Sequence, residues 1–317
     1  MYKIPILILV FNRPKNILKI IKILEKIKPS KIYISADGPR HNKTNDIKLC
    51  QETKDIFLDL GWKCSIKKNY LNKNLGCREA VSNGITWFFK NEKYGIILED
   101  DCLPNLDFFK FCKINLLKYM NTSQIGCITG NNFQKKIGKN ETYYFSKYSH
   151  CWGWATWARA WKVYKKDLGF WPTYKLSKKW KNYFLNKIEQ RYWTKIFNNT
   201  HNRKIDSWAY PWSLCLWKKN MLTITPSMNL VRNIGFGEEA THTVTNYDDQ
   251  KYKTNNLPKI WIHPKKIVIN TKNDEFIFKN HFKGKNYIWP YRFFYLITLF
   301  ITSPKTFFLK LRNNLSI

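Results

Sequence analysis

Ile4–Phe11, IPILILVF, is a nearly continuous apolar run, as a strand buried on both faces of a parallel sheet requires. Asn12, Arg13 and Pro14 end it. Asn16–Ile27 then places Ile17, Ile20, Ile21 and Leu24 on one side of a helix. Lys31–Ala36 reads as a second strand, closed by Asp37, Gly38, Pro39 and Arg40. The same patterning predicts a helix over Asp46–Asp59, a strand over Lys63–Lys68, a helix over Glu79–Phe89 and a strand over Tyr94–Glu99. A helix over Leu106–Met120 and a strand over Ile125–Thr129 follow. This alternation predicts a doubly wound α/β domain, whose ligands lie beyond the C-terminal ends of the strands. Asn12, Arg13, Asp37 and Arg40 fall at those ends. No Gly-rich fingerprint follows the first strand, which argues against a dehydrogenase and against a P-loop enzyme.

The fourth strand, YGIILE, runs into Asp100 and Asp101, so Glu99, Asp100 and Asp101 form three consecutive acids. Carboxylate oxygens suit Mg²⁺ or Mn²⁺, and a hard cation is what a leaving diphosphate needs. In an ideal strand Glu99 and Asp101 share one face while Asp100 points to the other. A turn after Glu99 would bring Asp101 to a metal and leave Asp100 near a ribose or sugar. The competing reading is an acidic cap for the helix that begins near Asn105. Asn72, Asn74, Gly76 and Arg78, at the entry to the preceding helix, can pass beneath a diphosphate, or form an ordinary Gly turn with a solvated Arg.

Beyond residue 132 the character changes. Tyr143–Trp161 is dense in aromatics, and Trp152 and Trp154, separated by Gly153, read as part of a pocket wall for a sugar or base. Trp154, Trp157, Ala158 and Trp161 have helical spacing and favour packing. Asp206 is the one acid between Glu189 and Glu238 and lies beside Trp208. It can take a proton from a sugar hydroxyl, cap a helix from Ser207, or pair with Arg203. Asn229–Thr243 holds Gly235, Gly237, Glu238, Glu239 and His242. A glycine loop of this kind can close over a ligand, with His242 on a metal or diphosphate and either Glu as an alternative base.

The tail Tyr287–Leu311 is aromatic and leucine-rich, bordered by Arg292, Lys305, Lys310 and Arg312. Its longest uncharged piece, Phe293–Pro304, is shorter than the roughly 20 residues a membrane span needs. It suits either a helix in the membrane interface or one docked on the core.

Composition bounds these readings. The chain has 317 residues, 44% of them hydrophobic, enough for one large α/β domain or two smaller ones. A formal net charge of +33 favours phosphate-rich ligands, acidic glycans or an anionic membrane surface. Nucleic acid is disfavoured as a partner, because the charge is spread along the chain with no basic tail or nucleic-acid module. Eight cysteines without CxxC or metal-ligand spacing fit reduced thiols in a cytosolic protein. The N-terminus flows straight into the first strand without a secretory signal.

In order along the chain, ILVFNRP, ADGPR, the NLG loop and YGIILEDD resemble the GT-A glycosyltransferases, in particular bacterial polysaccharide-type enzymes related to N-acetylglucosaminyltransferase I. The resemblance covers roughly Ile4–Thr243. It implies an α/β, GT-A type fold with a mostly parallel mixed sheet and flanking helices, and a metal-dependent inverting transfer of a sugar from a nucleoside diphosphate donor. It implies Mn²⁺ or Mg²⁺ on Asp101, with His242 near the diphosphate. Glu99 and Asp100 would address sugar and ribose, and Phe11, Arg13 and Asp37 the nucleotide. Asp206, in IDSW where the relatives read WDDW, inherits the role of base. Arg40 and Arg78 complete the expected donor side; Trp152, Trp154, Trp208, Glu238 and Glu239 are the expected acceptor or loop residues.

The expected donor is a UDP-sugar and the expected acceptor a surface glycan or lipid-linked saccharide, as in lipopolysaccharide or capsule synthesis, at the inner face of the cytoplasmic membrane. The expected division is a catalytic domain over residues 1–250, split at 132 into donor and acceptor parts, and an extension over 251–317. A nucleotidyltransferase and a non-catalytic glycan or nucleic-acid binding module are the rival classes.

Overall fold

The computed structural model describes residues 1–134, 141–235 and 253–308. In chain order, β1 (Ile6–Val10), α1 (Pro14–Ile27), β2 (Lys31–Ala36), α2 (Thr44–Asp55), β3 (Ser65–Tyr70), α3 (Cys77–Asn91) and β4 (Tyr94–Glu99) form the first part. The short β5 (Cys102–Pro104), α4 (Leu106–Lys118), β6 (Ile125–Thr129), β7 (Tyr143–Ser146) and β8 (Trp154–Trp157) follow. Three short helices come next, α5 (Ala158–Trp161), α6 (Trp171–Tyr174) and α7 (Lys178–Tyr183), then the longer α8 (Lys187–His201) and α9 (Ala209–Lys218). The chain continues through β9 (Leu222–Pro226), β10 (Val231–Asn233), α10 (Thr271–Asn280) and α11 (Tyr291–Thr302).

Eight strands form one sheet in the order β3-β2-β1-β4-β8-β6-β9-β7, and β5 pairs with β10 in a separate two-stranded ribbon. Within the sheet only β8 and β7 run against the others. This is the mostly parallel mixed sheet with flanking helices that the GT-A resemblance implies.

The apolar runs of β1 and β4 supply both faces of the sheet. Ile6, Ile8 and Val10 enter one core with Ile17, Ile20 and Leu24 of α1 and with Ile96 and Leu98 of β4. Leu7, Leu9 and Ile97 point the other way, onto Val81, Ile85 and Phe88 of α3. Alternation is absent from the sequence because neither face meets water. The second core continues into the indole-rich packing of α5 to α9, where Trp171, Trp180, Trp193, Trp212 and Trp217 are buried.

The spacing of Trp154, Trp157 and Trp161 predicts a helix, but the structure has strand β8 and a single helical turn after it. Trp154 and Trp157 lie on opposite faces of the sheet, one in each core. A strand buried on both sides can carry a large apolar side chain at any position, so the spacing held no periodicity to read.

After residue 252 the chain divides physically. Thr142 and Ile262 exchange hydrogen bonds, Asn270 N–H donates to the Phe145 carbonyl, and Ile277 and Phe278 of α10 are buried. Asp274 is buried beside β7, accepting from Ser146 Oγ at 2.5 Å and Lys147 N–H at 3.0 Å. By contrast α11 buries none of its residues.

Candidate functional site

The C-terminal ends of β1, β2 and β4 open on a cavity of about 670 Å³, a size typical of small-molecule sites. Phe11, Arg13, Asp37, Arg40, Glu99, Asp100 and Asp101 line it from the sheet side, and Trp152, Asp206 and Trp208 from the other.

The acids are gathered by the end of β4. The strand stops at Glu99 and a turn follows, so Asp100 and Asp101 approach the same guanidinium. Arg13, the residue before α1, donates to Asp100 Oδ1 at 2.8 Å and lies 3.4 Å from Asp101 Oδ2. Phe11 N–H donates to Asp100 Oδ2 at 3.1 Å. Burial raises the Asp100 carboxyl to about 6, with Asp101 adding to the rise and Arg13 opposing it. Burial, then the charges of Asp101 and Asp100, hold Glu99 well above the usual carboxylate range, against Arg13 and a hydrogen bond from Trp208. The Ile234 N–H donates to the Asp101 carbonyl at 2.7 Å, and the Gly235 backbone lies against the Asp101 side chain.

Asp37 is placed at the cavity but occupied by protein. Oδ1 accepts from Gly38 N–H at 2.9 Å and Leu75 N–H at 2.8 Å. Oδ2 accepts from Asn74 Nδ2 at 3.0 Å and Gly76 N–H at 3.1 Å. These four bonds match the acceptor sites of a carboxylate, so its observed job is to fasten the 74–76 loop to the end of β2. Arg40 pairs with Asp46 through Nε at 2.6 Å and Nη2 at 2.9 Å, and its guanidinium carbon lies 5.3 Å from the centre of the Phe11 ring. Asp46, in the first turn of α2, thereby sets where Arg40 stands.

Arg78 lies away from the cavity. Its guanidinium is buried and donates to the Lys166 carbonyl at 2.5 Å, with Asp167 at 3.5 Å. Trp154 is likewise a core residue, stacked on Trp208 at 5.4 Å. Trp208 reaches the cavity wall, whereas Trp154 lies behind it. Asp206 is exposed and precedes α9 by a short turn; Ser207 Oγ, not Asp206, accepts from Ala209 N–H at the helix start. Asp206 stands near enough to Cys77 to act on it electrostatically, together with Glu99, Asp101 and Asp100. Glu238, Glu239 and His242 lie outside the described residues.

Sequence reading missed one wall. Phe133 and His281 stack at 3.7 Å, His150 meets Phe133 edge-on at 4.6 Å, and Phe282 lies beside them. His150 is buried, and desolvation, helped by His281, holds its pKa well below the ordinary range. It is a neutral ring in an aromatic wall. The aromatic density around Tyr143–Trp161 was the available signal for His150; nothing in the sequence links Phe133 to His281.

Among the described residues no group of three His, Cys, Asp and Glu side chains is placed to hold a metal ion by itself. Residues 99–101 nonetheless fit a hard divalent cation. They offer oxygen donors only, and the two carboxylates of Asp100 and Asp101 share one guanidinium, leaving negative charge for a cation to balance.

No protein-family model matches the chain, and no curated protein does. Among solved structures it is similar to HddC from Yersinia pseudotuberculosis, at 12% identity over 50% of this chain and 78% of that one, with a TM-score of 0.32. It is also similar to mannosyltransferase PcManGT from Pyrobaculum calidifontis in complex with GDP-Man and Mn²⁺, at 10% identity over 69% of each chain and a TM-score of 0.36. A glucose-1-phosphate thymidylyltransferase of Bacillus anthracis, described as putative and bound to sucrose, gives 10% identity over 69% of this chain and 94% of that one, with a TM-score of 0.30. Likenesses this remote add nothing to what the sheet order itself shows.

Proposed function

We propose that the protein is an inverting glycosyltransferase that moves a sugar from a nucleoside diphosphate donor, UDP-linked in the first instance, to a hydroxyl of a surface glycan or lipid-linked oligosaccharide. The observation that carries this reading is the meeting of Glu99, Asp100, Asp101 and Asp206 on one cavity at the strand ends. Phe11 and the Arg40 guanidinium offer flat surfaces for the nucleotide, and Arg13 keeps Asp100 and Asp101 together.

Asp101 would hold Mn²⁺ or Mg²⁺, with His242 the further ligand implied by the resemblance; such an ion offsets negative charge on a departing diphosphate. Asp206 accepts the proton of the acceptor hydroxyl. The hydroxyl oxygen bonds to the anomeric carbon as the bond from that carbon to the diphosphate oxygen breaks, and the bonding electrons leave with the nucleoside diphosphate. Trp152 and Trp208 supply apolar faces for the sugars. The division of residues 1–250 at about 132 into donor and acceptor parts belongs to the same proposal.

The test is a panel of UDP-, GDP-, CDP- and dTDP-sugars with Mn²⁺, followed by thermal protection and by release of nucleoside diphosphate. Protection by one donor that chelation abolishes, with nucleoside diphosphate as product, is expected. Release of pyrophosphate from a nucleoside triphosphate and a sugar phosphate would replace the reading with nucleotidyl transfer. Binding without turnover in the presence of acceptors would reduce the protein to a binding module.

A further inference from the structure

We propose that α11 and the basic residues around it seat the protein on an anionic lipid bilayer. Phe293, Phe294, Ile297, Phe300 and Ile301 follow one another at i, i+1, i+4, i+7 and i+8, so they share one face of the helix. Every one of them is at least 42% exposed, and Ile301 is 72% exposed. On the opposite side Tyr295, Leu296 and Leu299 are half-buried, whereas along the stripe Phe300 meets the ring of Phe307 at 5.1 Å and still keeps half its surface exposed. Thr298 and Thr302 return their hydroxyls to the carbonyls of Phe294 and Thr298, at 2.9 and 2.8 Å, which removes hydrogen-bonding groups that would resist entry into lipid. Trp289, at the helix entrance, is 75% exposed, and an indole at that position suits the headgroup boundary.

Charge selects the partner. After Glu275 the sequence holds seven Lys or Arg and no Asp or Glu. Lys283, Lys285, Arg292 and Lys305, which flank the stripe, are all exposed. An apolar face bordered by cations alone complements an anionic membrane surface, whereas a second copy of the same face would bring like charges together. No described helix is long and apolar enough to cross a membrane, and the twelve residues of α11 span only about 18 Å, so the helix lies in the interface. Its attachment to the cavity is short in sequence: His281 and Phe282 line the cavity wall, and α11 begins at Tyr291. Membrane binding of this kind does not depend on the transfer reaction.

The test uses the full chain and sedimentation with vesicles of phosphatidylglycerol and phosphatidylcholine, against phosphatidylcholine alone. Binding to the anionic vesicles that weakens with added salt is expected. Phe293→Glu with Phe300→Glu should lower the partition coefficient at least about tenfold while leaving the unfolding temperature unchanged, since both side chains are exposed. Arg292→Gln with Lys305→Gln, which leaves the stripe intact, should lower it less and flatten the salt dependence. Equal partitioning of all three proteins would overturn the proposal. So would a dimer in vesicle-free buffer that the two Glu substitutions dissolve, because the stripe would then be a contact between copies.

Discussion

Gly235 and Asp101 are in backbone-to-carboxylate contact: a Cβ built on Gly235 would stand 2.6 Å from both Cβ and Oδ2 of Asp101. A side chain there would collide with the Asp101 Cβ as well as its carboxylate, so no rotamer change relieves it and the backbone at 101 or 235 would have to give; the close approach requires glycine. Gly235→Ala should therefore push Asp101 and its backbone aside and lower Mn²⁺-dependent donor affinity by about 10- to 100-fold, the usual effect of disturbing the support of a metal ligand. Titration of Mn²⁺ against thermal protection by the donor is the measurement. An unchanged midpoint would separate Asp101 from metal binding.

Asp206 touches the cavity but contributes nothing to the start of α9, whose first turn is capped by Ser207. Asp206→Asn should accordingly leave stability and donor binding intact and cut transfer by roughly 10²- to 10⁴-fold, the range of a lost general base. Rates with saturating donor and acceptor, beside donor affinity from protection, distinguish this from a fold defect. Full turnover by the variant would move the role of base elsewhere.

Asp37→Asn is expected to act through the loop it fastens. An amide offers one acceptor oxygen where the carboxylate offers two, and its NH₂ would face the donors of Asn74 and Gly76. The loss should be about 1–3 kcal/mol, with faster hydrogen exchange at Leu75 and Gly76 than in the parent. If exchange there stays slow while donor affinity collapses, Asp37 addresses the nucleotide directly.

The Asp274 carboxyl is pushed up to about 6, chiefly by burial, with Lys147, the Lys147 amide and Ser146 opposing the rise. A carboxyl in the unfolded chain titrates near 4. Between these values the folded protein keeps a proton that the unfolded chain has lost, so this residue's contribution lowers stability as pH rises from about 4 to 6. The full deficit, of order 3 kcal/mol, is present above pH 6. Denaturant unfolding of the parent and of Asp274→Asn across that window should differ in slope, the parent losing stability more steeply as pH rises. Parallel curves would mean that Asp274 titrates normally in the fold.

What the sequence disclosed follows from how local each signal is. Ile6–Val10, Lys31–Ala36, Tyr94–Glu99 and Ile125–Thr129 were legible because short apolar runs bounded by polar residues have few alternatives to a buried strand. The arrival of Glu99, Asp100 and Asp101 at the cavity was legible for the same reason, since a strand delivers whatever follows its last residue. Asp37 was legible at the end of β2, but its bonds to Asn74, Leu75 and Gly76 were not, because those partners lie 37 to 39 residues away. The ribbon of Cys102–Pro104 with Val231–Asn233, and the wall joining Phe133, His150 and His281, depend on segments separated by more than a hundred residues. No periodicity reports such meetings.

The position of β8 has a consequence for the growing chain. In the sheet, β4 and β6 do not pair; each pairs with β8 instead. Residues 6–99 can assemble four parallel strands as they emerge from the ribosome, yet β6 has no hydrogen-bonded route to them until residues 154–157 have been synthesised. The seam between the two parts of the protein is thus closed by a segment translated after both of its neighbours, and a chain arrested before Trp154 would carry an open edge on β4.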